Sequence, residues 1–227
     1  MKRLTPFLAL LSGCATLSSA RPLAPGEHEV GVTIGGPVLL FGGAPVPLPN
    51  AVVQGRSGVA ELGGRPLDID YGVNATAAAF YIAQGHLGVS HLLLDQNGAA
   101  PALAFTNRFW FGLDIPHGDQ LEGPPHALFI DQLEVNASWD LDGQLLHVGL
   151  AQYLDVNNPA LTLTPSLGAA FDPAPASADG VRLHVETRWY GLTQQREIDT
   201  VRFVGGGQGM LGFSFGISGA FGHKEGS

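Results

Sequence analysis

The sequence predicts an all-β fold, a closed, antiparallel, up-and-down barrel of about ten strands (8 to 12). Three observations predict it. Apolar and polar residues alternate with a period of two along one segment after another, whereas the spacing of an amphipathic helix is almost absent. Glycine is abundant, at 32 of 227 residues. Charged residues make up only 14% of the chain, against about a quarter in an average globular protein.

The first 13 residues predict an export signal that is removed before the chain folds. Lys2 and Arg3 precede an apolar run, which ends in small residues and Cys14. Leu11-Ser12-Gly13-Cys14 resembles the lipobox of bacterial lipoproteins, and the resemblance implies cleavage before the cysteine and a lipid on it. Cys14 is the only cysteine, so it can form no internal disulfide. The alternative is an uncleaved leader with an incidental thiol.

The lipobox resemblance also implies an address. A residue other than Asp after the cysteine, here Ala15, implies transport to the outer membrane, with the N-terminus in the periplasm. We then expect residues 14–26 to be a lipidated linker, 27–222 the barrel and 223–227 a C-terminal tail. The net charge is −9 and the only lysine beyond the leader is Lys224, so nothing points to nucleic acid as a partner.

Two segments show the alternation most clearly. In 133–141, Leu, Val, Ala, Trp and Leu alternate with polar residues, and Asp142-Gly143 then gives a two-residue hairpin turn. Segment 181–189 alternates in the same way. The ten predicted strands are 27–35, 51–59, 67–79, 84–94, 102–114, 127–141, 144–155, 161–171, 181–192 and 209–221.

The connections between these strands differ in length. Longer ones follow the first, fifth and ninth strands, at 36–50, 115–126 and 193–208. Long outer loops and short inner turns are typical of outer-membrane barrels. With a periplasmic N-terminus, these three loops face outward, which is where an extracellular partner would bind.

Alternation alone does not tell which face lies inside. Three observations favour an apolar outer face: the polar face is rich in small residues, lysine is nearly absent, and aromatic residues fall near strand ends. Trp139, Trp189 and Phe221 are the expected interface aromatics. The charged residues of the polar face are expected to pair inside the lumen as a network of Arg56, Asp68, Asp70, Arg108, Glu134, Asp140, Arg182, Glu186 and Arg188.

The leader, the alternating strands and the glycine-rich closing strand that ends Gly219-Ala220-Phe221-Gly222 resemble the small, porin-like outer-membrane β-barrel proteins of bacteria. The resemblance implies a transmembrane barrel in contact with outer-membrane lipid. The family usually ends on an aromatic residue, whereas this chain continues for five residues after Gly222.

Four functions fit this reading. The first is a structural or surface-interaction barrel without enzymatic activity, and the second is a narrow channel for small solutes. The third is a lipid acyl hydrolase, for which His91 beside Ser90 is the residue to inspect. The fourth is a lipid-anchored soluble barrel that binds an apolar ligand. In that fourth case the cavity would be lined by Phe105, Phe109, Phe111, Leu113, Phe213 and Phe215.

No cofactor or metal is expected. The eight histidines contain no closely spaced pair on one face of a strand with the spacing of metal ligands. His86 and His91 share a strand but are five residues apart, so they point to opposite faces.

Overall fold

A computed structural model describes residues 20–41, 44–47, 49–79, 81–115, 127–155, 158–172, 180–195, 202–204 and 208–222. Its strands are β1 (His28–Phe41), β2 (Ala44–Pro47), β3 (Asn50–Leu62), β4 (Arg65–Asn74), β5 (Ile82–Leu94), β6 (Ala102–Asp114), β7 (Ala127–Leu141), β8 (Gln144–Asp155), β9 (Asn158–Phe171), β10 (Val181–Gln195), β11 (Arg202–Phe203) and β12 (Gln208–Phe221). A short helix, α1 (Ala75–Ala79), separates β4 from β5.

Ten of these strands form a closed barrel. From β3 to β10, and then from β10 to β12, each strand pairs antiparallel with the next barrel strand along the chain. Strand β1 closes the ring, because it pairs with β3 on one side and with β12 on the other. The structure therefore confirms the predicted closed antiparallel barrel and its ten strands.

The two faces of the wall are chemically opposite. Large apolar side chains point outward and are exposed, among them Phe109, Phe129 and Phe215, the last 64% exposed. Polar and charged side chains point inward and are buried, such as Glu134 at 1% and Arg108 at 2%. The barrel thus has a polar core inside an apolar surface, the reverse of a soluble barrel.

The two ends of the barrel also differ. At one end, which we call the terminal end, lie the start of β1, the end of β12 and two two-residue turns. These turns are Gly63-Gly64 and Asp142-Gly143, and all four residues have the positive φ of a type I′ turn. The opposite end, the loop end, carries α1, β2 and β11. No helix among the described residues is long and apolar enough to span a membrane.

The predicted strand 67–79 is wrong in its last five residues. Strand β4 ends at Asn74, and residues 75–79 form α1. The Asn74 side chain accepts a hydrogen bond from the backbone N–H of Ala77 (3.1 Å), as an N-cap does. Three of the next four residues are alanine, the best helix former, so the cap and the composition favour a helical turn over a continued strand.

Two of the predicted loops contain short strands, and both of these strands pair with β1. Strand β1 runs past the barrel wall to Phe41, and this extension pairs with β2 from loop 36–50 and with β11 from loop 193–208. The three strands form a small sheet at the loop end, which we call the outer sheet.

Candidate functional site in the barrel lumen

The first part of the lumen site is centred on Asp70 and Arg108. Arg108 Nε lies 2.7 Å from Asp70 Oδ1, and both side chains are 2% exposed. His86 Nε2 lies 3.3 Å from the same oxygen. The His86 ring packs against Trp110, with ring centroids 4.6 Å apart. The carboxylate is therefore held between a guanidinium and an imidazole, away from water.

The second part of the lumen site is centred on Arg188. Its guanidinium bonds the Glu186 carboxylate, and its Nη2 lies 3.7 Å from Glu134 Oε1. Arg188 also donates a hydrogen bond to the Tyr153 hydroxyl (3.1 Å). On the far side of Glu186, His147 Nε2 lies 3.0 Å from the second carboxylate oxygen. One cation thus neutralises two buried carboxylates.

Gln132 connects the two parts. Its side-chain oxygen accepts a hydrogen bond from Trp110 Nε1 (2.9 Å), and its Nε2 donates to Glu134 (2.7 Å). We call the connected set the central network. Its members are Asp70, His86, Arg108, Trp110, Gln132, Glu134, His147, Tyr153, Glu186 and Arg188.

Glycines in the wall make this network geometrically feasible. Arg108 and Asp70 lie on β6 and β4, and Gly88 on β5 stands between them in register. A Cβ at Gly88 would lie 2.6 Å from Asp70 Oδ2. Gly168 stands between His147 and Glu186 in the same way, and a Cβ there would lie 2.4 Å from the His147 ring. Each glycine lets two long side chains meet across an intervening strand.

A third group of charges lies toward the terminal end. Arg56 Nη2 is 2.6 Å from Asp68 Oδ2, and its Nη1 is 3.5 Å from Glu29 Oε2. His184 donates to or accepts from the Ser218 hydroxyl (2.7 Å) and lies 3.8 Å from Glu29. This group, the terminal cluster, joins β1, β3, β4, β10 and β12 across the seam where the barrel closes.

Residues 20–26 enter the terminal end of the lumen. Ala20 and Leu23 are 2% and 8% exposed. The segment contacts both β3–β4, through Asp68 and Arg56, and β7, through Ser138. It therefore crosses the mouth of the barrel, where the sequence predicted only a linker.

Seven of the nine predicted lumen charges lie in the central network or the terminal cluster: Arg56, Asp68, Asp70, Arg108, Glu134, Glu186 and Arg188. Asp140 and Arg182 do not. Asp140 lies one residue before the end of β7, is half exposed and pairs with Arg21 (3.3 Å). Arg182 lies one residue after the start of β10 and is exposed. Both face inward by alternation, but at the rim of the barrel, where water replaces the lumen.

Five buried lumen residues lie outside the predicted charge network: His86, Trp110, Gln132, His147 and Glu29. All five follow from the alternation, since each has the parity of a predicted inward residue. The predicted network contains only Asp, Glu and Arg, whereas four of these five side chains are His, Trp or Gln. Cys14 and the tail 223–227 lie outside the described residues, as does most of loop 115–126.

The expected interface aromatics are on the outer face near strand ends. Trp139 lies toward the terminal end and donates a hydrogen bond to the backbone oxygen of Ala99 (3.0 Å). Phe221 is exposed at the same end, where its ring stacks on His28. Trp189 lies toward the loop end. The three side chains thus mark both ends of the apolar surface.

His91, the residue to inspect for a hydrolase, does not meet its neighbour Ser90. Ser90 points into the lumen and bonds the Thr106 hydroxyl (2.9 Å), whereas His91 lies on the outer face and bonds the backbone oxygen of Pro66 (3.1 Å). A nucleophile and its base must lie within hydrogen-bond reach. These two residues therefore do not form a catalytic pair.

Several buried polar atoms in the described part of the lumen have no hydrogen-bond partner. On β7–β9 these are both side-chain polar atoms of Asn136, the Ser166 hydroxyl and His147 Nδ1. On β1 and β3 they are the side-chain oxygens of Thr33 and Gln54. Buried polar groups without protein partners are normally bound by ordered water. Among the described residues, no group of three or more His, Cys, Asp or Glu could hold a metal ion.

Comparisons with known proteins give weak likenesses. No family model and no curated protein matches the sequence. The translocator domain of the autotransporter NalP from Neisseria meningitidis is similar at 9% identity and a TM-score of 0.44, over 98% of this chain and 94% of that one. Ail, the attachment invasion locus protein of Yersinia pestis, is similar at 9% identity and a TM-score of 0.27, over 87% and 99%. The strand pairing described above, not these scores, establishes the fold.

Proposed function

We propose that the protein is a bacterial outer-membrane β-barrel, anchored by a lipid on Cys14, that acts as a closed scaffold for its loop end. One observation carries the proposal: the wall is apolar outside and polar inside. In water, an exposed apolar surface this extensive would drive aggregation. In a bilayer it is the surface that hydrocarbon requires, and a closed barrel satisfies its backbone groups internally.

The same observation disfavours a soluble, ligand-binding barrel. That alternative needs Phe109, Phe111, Phe213 and Phe215 to line an interior cavity. All four are on the outer face and are 44–64% exposed. The inward positions are instead occupied by the central network.

A scaffold role is supported by the filled lumen. A barrel of about eight strands is just filled by side chains, and open channels are found in barrels of about sixteen strands. Here ten strands enclose the central network, and residues 20–26 cover the terminal end. The outer sheet, which joins two loops through β1, is then the surface that a partner outside the cell would meet.

The test uses the mature chain with Cys14→Ala behind a leader without a lipobox, so that only the barrel can hold the protein in the membrane. We expect the protein to remain in outer membranes after urea and carbonate extraction and to change electrophoretic mobility on boiling. Release into the soluble fraction would overturn the proposal. The unaltered chain should in addition incorporate labelled fatty acid, and Cys14→Ala should not.

A narrow channel is the second candidate, and the unpartnered polar atoms favour it. Asn136, Ser166 and His147 lie near one another around Gly149 and Gly168, so water there would form a hydrated strip along β7–β9. Planar bilayers distinguish the two functions. The scaffold predicts no conductance steps from the intact chain, and a channel predicts stable steps.

A further inference from the structure

We propose that the terminal end of the lumen is a binding site for an extended peptide that carries one arginine, and that residues 20–26 occupy this site in cis. Peptide recognition of this kind combines main-chain hydrogen bonds with a pocket for a defined side chain. Here the segment makes main-chain hydrogen bonds, and its Arg21 side chain contacts three polar groups at the rim.

The main chain of the segment is held by groups from three strands. The N–H of Leu23 donates to Asp68 Oδ2 (2.9 Å), and the carbonyl of Arg21 accepts from Arg56 Nη2 (2.6 Å). The carbonyl of Ala20 accepts from the Ser138 hydroxyl (3.2 Å). These contacts read backbone groups and do not depend on the side chains at 20 and 23.

The segment continues into the wall through β3. Gly26 N–H donates to the backbone oxygen of Gly58 (3.1 Å), and Gly58 N–H donates to Glu27 (2.9 Å). A Cβ at Gly58 would lie 1.9 Å from the Ala24 oxygen. Only glycine at position 58 allows the segment to approach so closely.

One side chain of the segment makes several polar contacts at the rim. The Arg21 guanidinium bonds Asp140 Oδ2 (3.3 Å), Ser138 Oγ (3.4 Å) and Gln96 Oε1. Asp140 and Ser138 lie on β7, and Gln96 lies in the connection from β5 to β6. Since Arg56 and Asp68 lie on the opposite side of the mouth, the site spans the barrel opening. Its ligand is an arginine followed by small or apolar residues.

The first experiment empties the site in the full chain. Residues 20–26 are replaced by a glycine-serine segment of equal length, and binding of a labelled peptide of sequence ARPLAPG is measured by fluorescence anisotropy in detergent. We expect binding to the replaced variant and at least about tenfold weaker binding to the unaltered chain, whose site is occupied. The same peptide with alanine for arginine should bind about threefold to tenfold more weakly, because it loses charge-assisted hydrogen bonds that are partly exposed at the rim.

Equal binding of the arginine, alanine and scrambled peptides would overturn the proposal, as would no binding to a replaced variant that still changes mobility on boiling. A second measurement applies if the replaced variant does not fold. In a Cys14→Ala background, Leu23→Cys should react with a bulky maleimide at least about tenfold more slowly than Pro25→Cys, because position 23 is buried and position 25 is exposed. Equal rates would show that the segment does not occupy the mouth.

This inference does not rest on the proposed membrane location, since both readouts are made in detergent. If the barrel were released by extraction but still bound the peptide, only the proposed function would fail. If the barrel were embedded but the peptide did not bind, only the peptide site would fail.

Discussion

Asn107 and Arg108 are neighbours on β6, and each bonds an aspartate, but on opposite sides of the wall. Arg108 meets Asp70 in the lumen (2.7 Å), where His86 also contacts the carboxylate. Asn107 meets Asp131 on the outer face (2.6 Å), and this is the only hydrogen bond of the Asp131 side chain within the described residues. Phe109, Phe111 and Phe129 are exposed around it.

The difference shows what burial requires of a polar group. Inside, a charge is tolerated because a partner of opposite sign and further hydrogen bonds compensate for lost hydration. Outside, the Asp131 carboxylate has a neutral amide as its partner and faces the surface that we assign to lipid. Removing one member of the lumen pair should therefore be strongly destabilising, because it leaves the other charge buried without a partner. The outer pair should cost stability in a membrane.

The largest effect is expected for Arg108→Leu. It leaves Asp70 as a buried charge without its cation, so the free energy of unfolding should fall by about 3–5 kcal/mol. Urea unfolding in detergent micelles, followed by tryptophan fluorescence, measures it. The double variant Arg108→Leu with Asp70→Leu should recover most of the loss, because neither charge remains. A double variant as unstable as the single one would contradict the ion-pair account.

The next effect is expected for Gly88→Ala, which tests the same pair from the intervening strand. The added methyl would lie 2.6 Å from Asp70 Oδ2 and displace the carboxylate from Arg108. We expect a loss of about 1–3 kcal/mol in the same unfolding assay. Gly112→Ala is the matched control, since a Cβ there meets Leu128 at an ordinary 3.4 Å. Equal losses of unfolding free energy at the two positions would show that the loss comes from adding a methyl group to a strand and not from displacing Asp70 from Arg108.

A smaller effect of opposite sign is expected for Asp131→Leu. Removing a carboxylate from a lipid-facing position should raise the free energy of unfolding, measured in phospholipid vesicles, by about 1 kcal/mol. Asp131→Asn should give a smaller gain. A clear loss of stability in Asp131→Leu would indicate that this face meets water or a protein partner instead of lipid.

The smallest effect is expected for Arg182→Met. This side chain is exposed at the rim, so the free energy of unfolding should change by no more than about 0.5 kcal/mol. Arg188→Met, six residues along β10, should cost about 3 kcal/mol, because Glu186 and Glu134 lose their shared cation. Similar losses in both variants would place Arg182 inside the network after all.

Alternation has a fixed period, so the sequence predicted which residues share a face of the wall, such as Glu134 opposite to Trp139. Composition was needed in addition to predict that the apolar face is the outer one. It could not predict which charges meet, because that depends on register between strands. Arg108 reaches Asp70 only because Gly88 stands between them, and nothing local to residue 108 contains this information.

The terminal end was also beyond the sequence pattern. Residues 20–26 show no alternation and resemble a linker. Their backbone groups nevertheless form hydrogen bonds with side chains of β3, β4 and β7, which are distant in sequence. The outer sheet was missed for the same reason. Strands β2 and β11 are four and two residues long, too short to give a period, and they form because the extension of β1 offers an edge.

The three native tryptophans test the central claim most directly. Trp139 and Trp189 are on the outer face, and Trp110 is buried in the lumen. Single-tryptophan variants, with phenylalanine at the other two positions, would be refolded into vesicles of brominated phospholipid. The account predicts that bromine quenches the fluorescence of Trp139 and Trp189 and leaves Trp110 almost unchanged. Quenching of Trp110 as strong as that of the outer tryptophans, or no quenching of any of them, would contradict it.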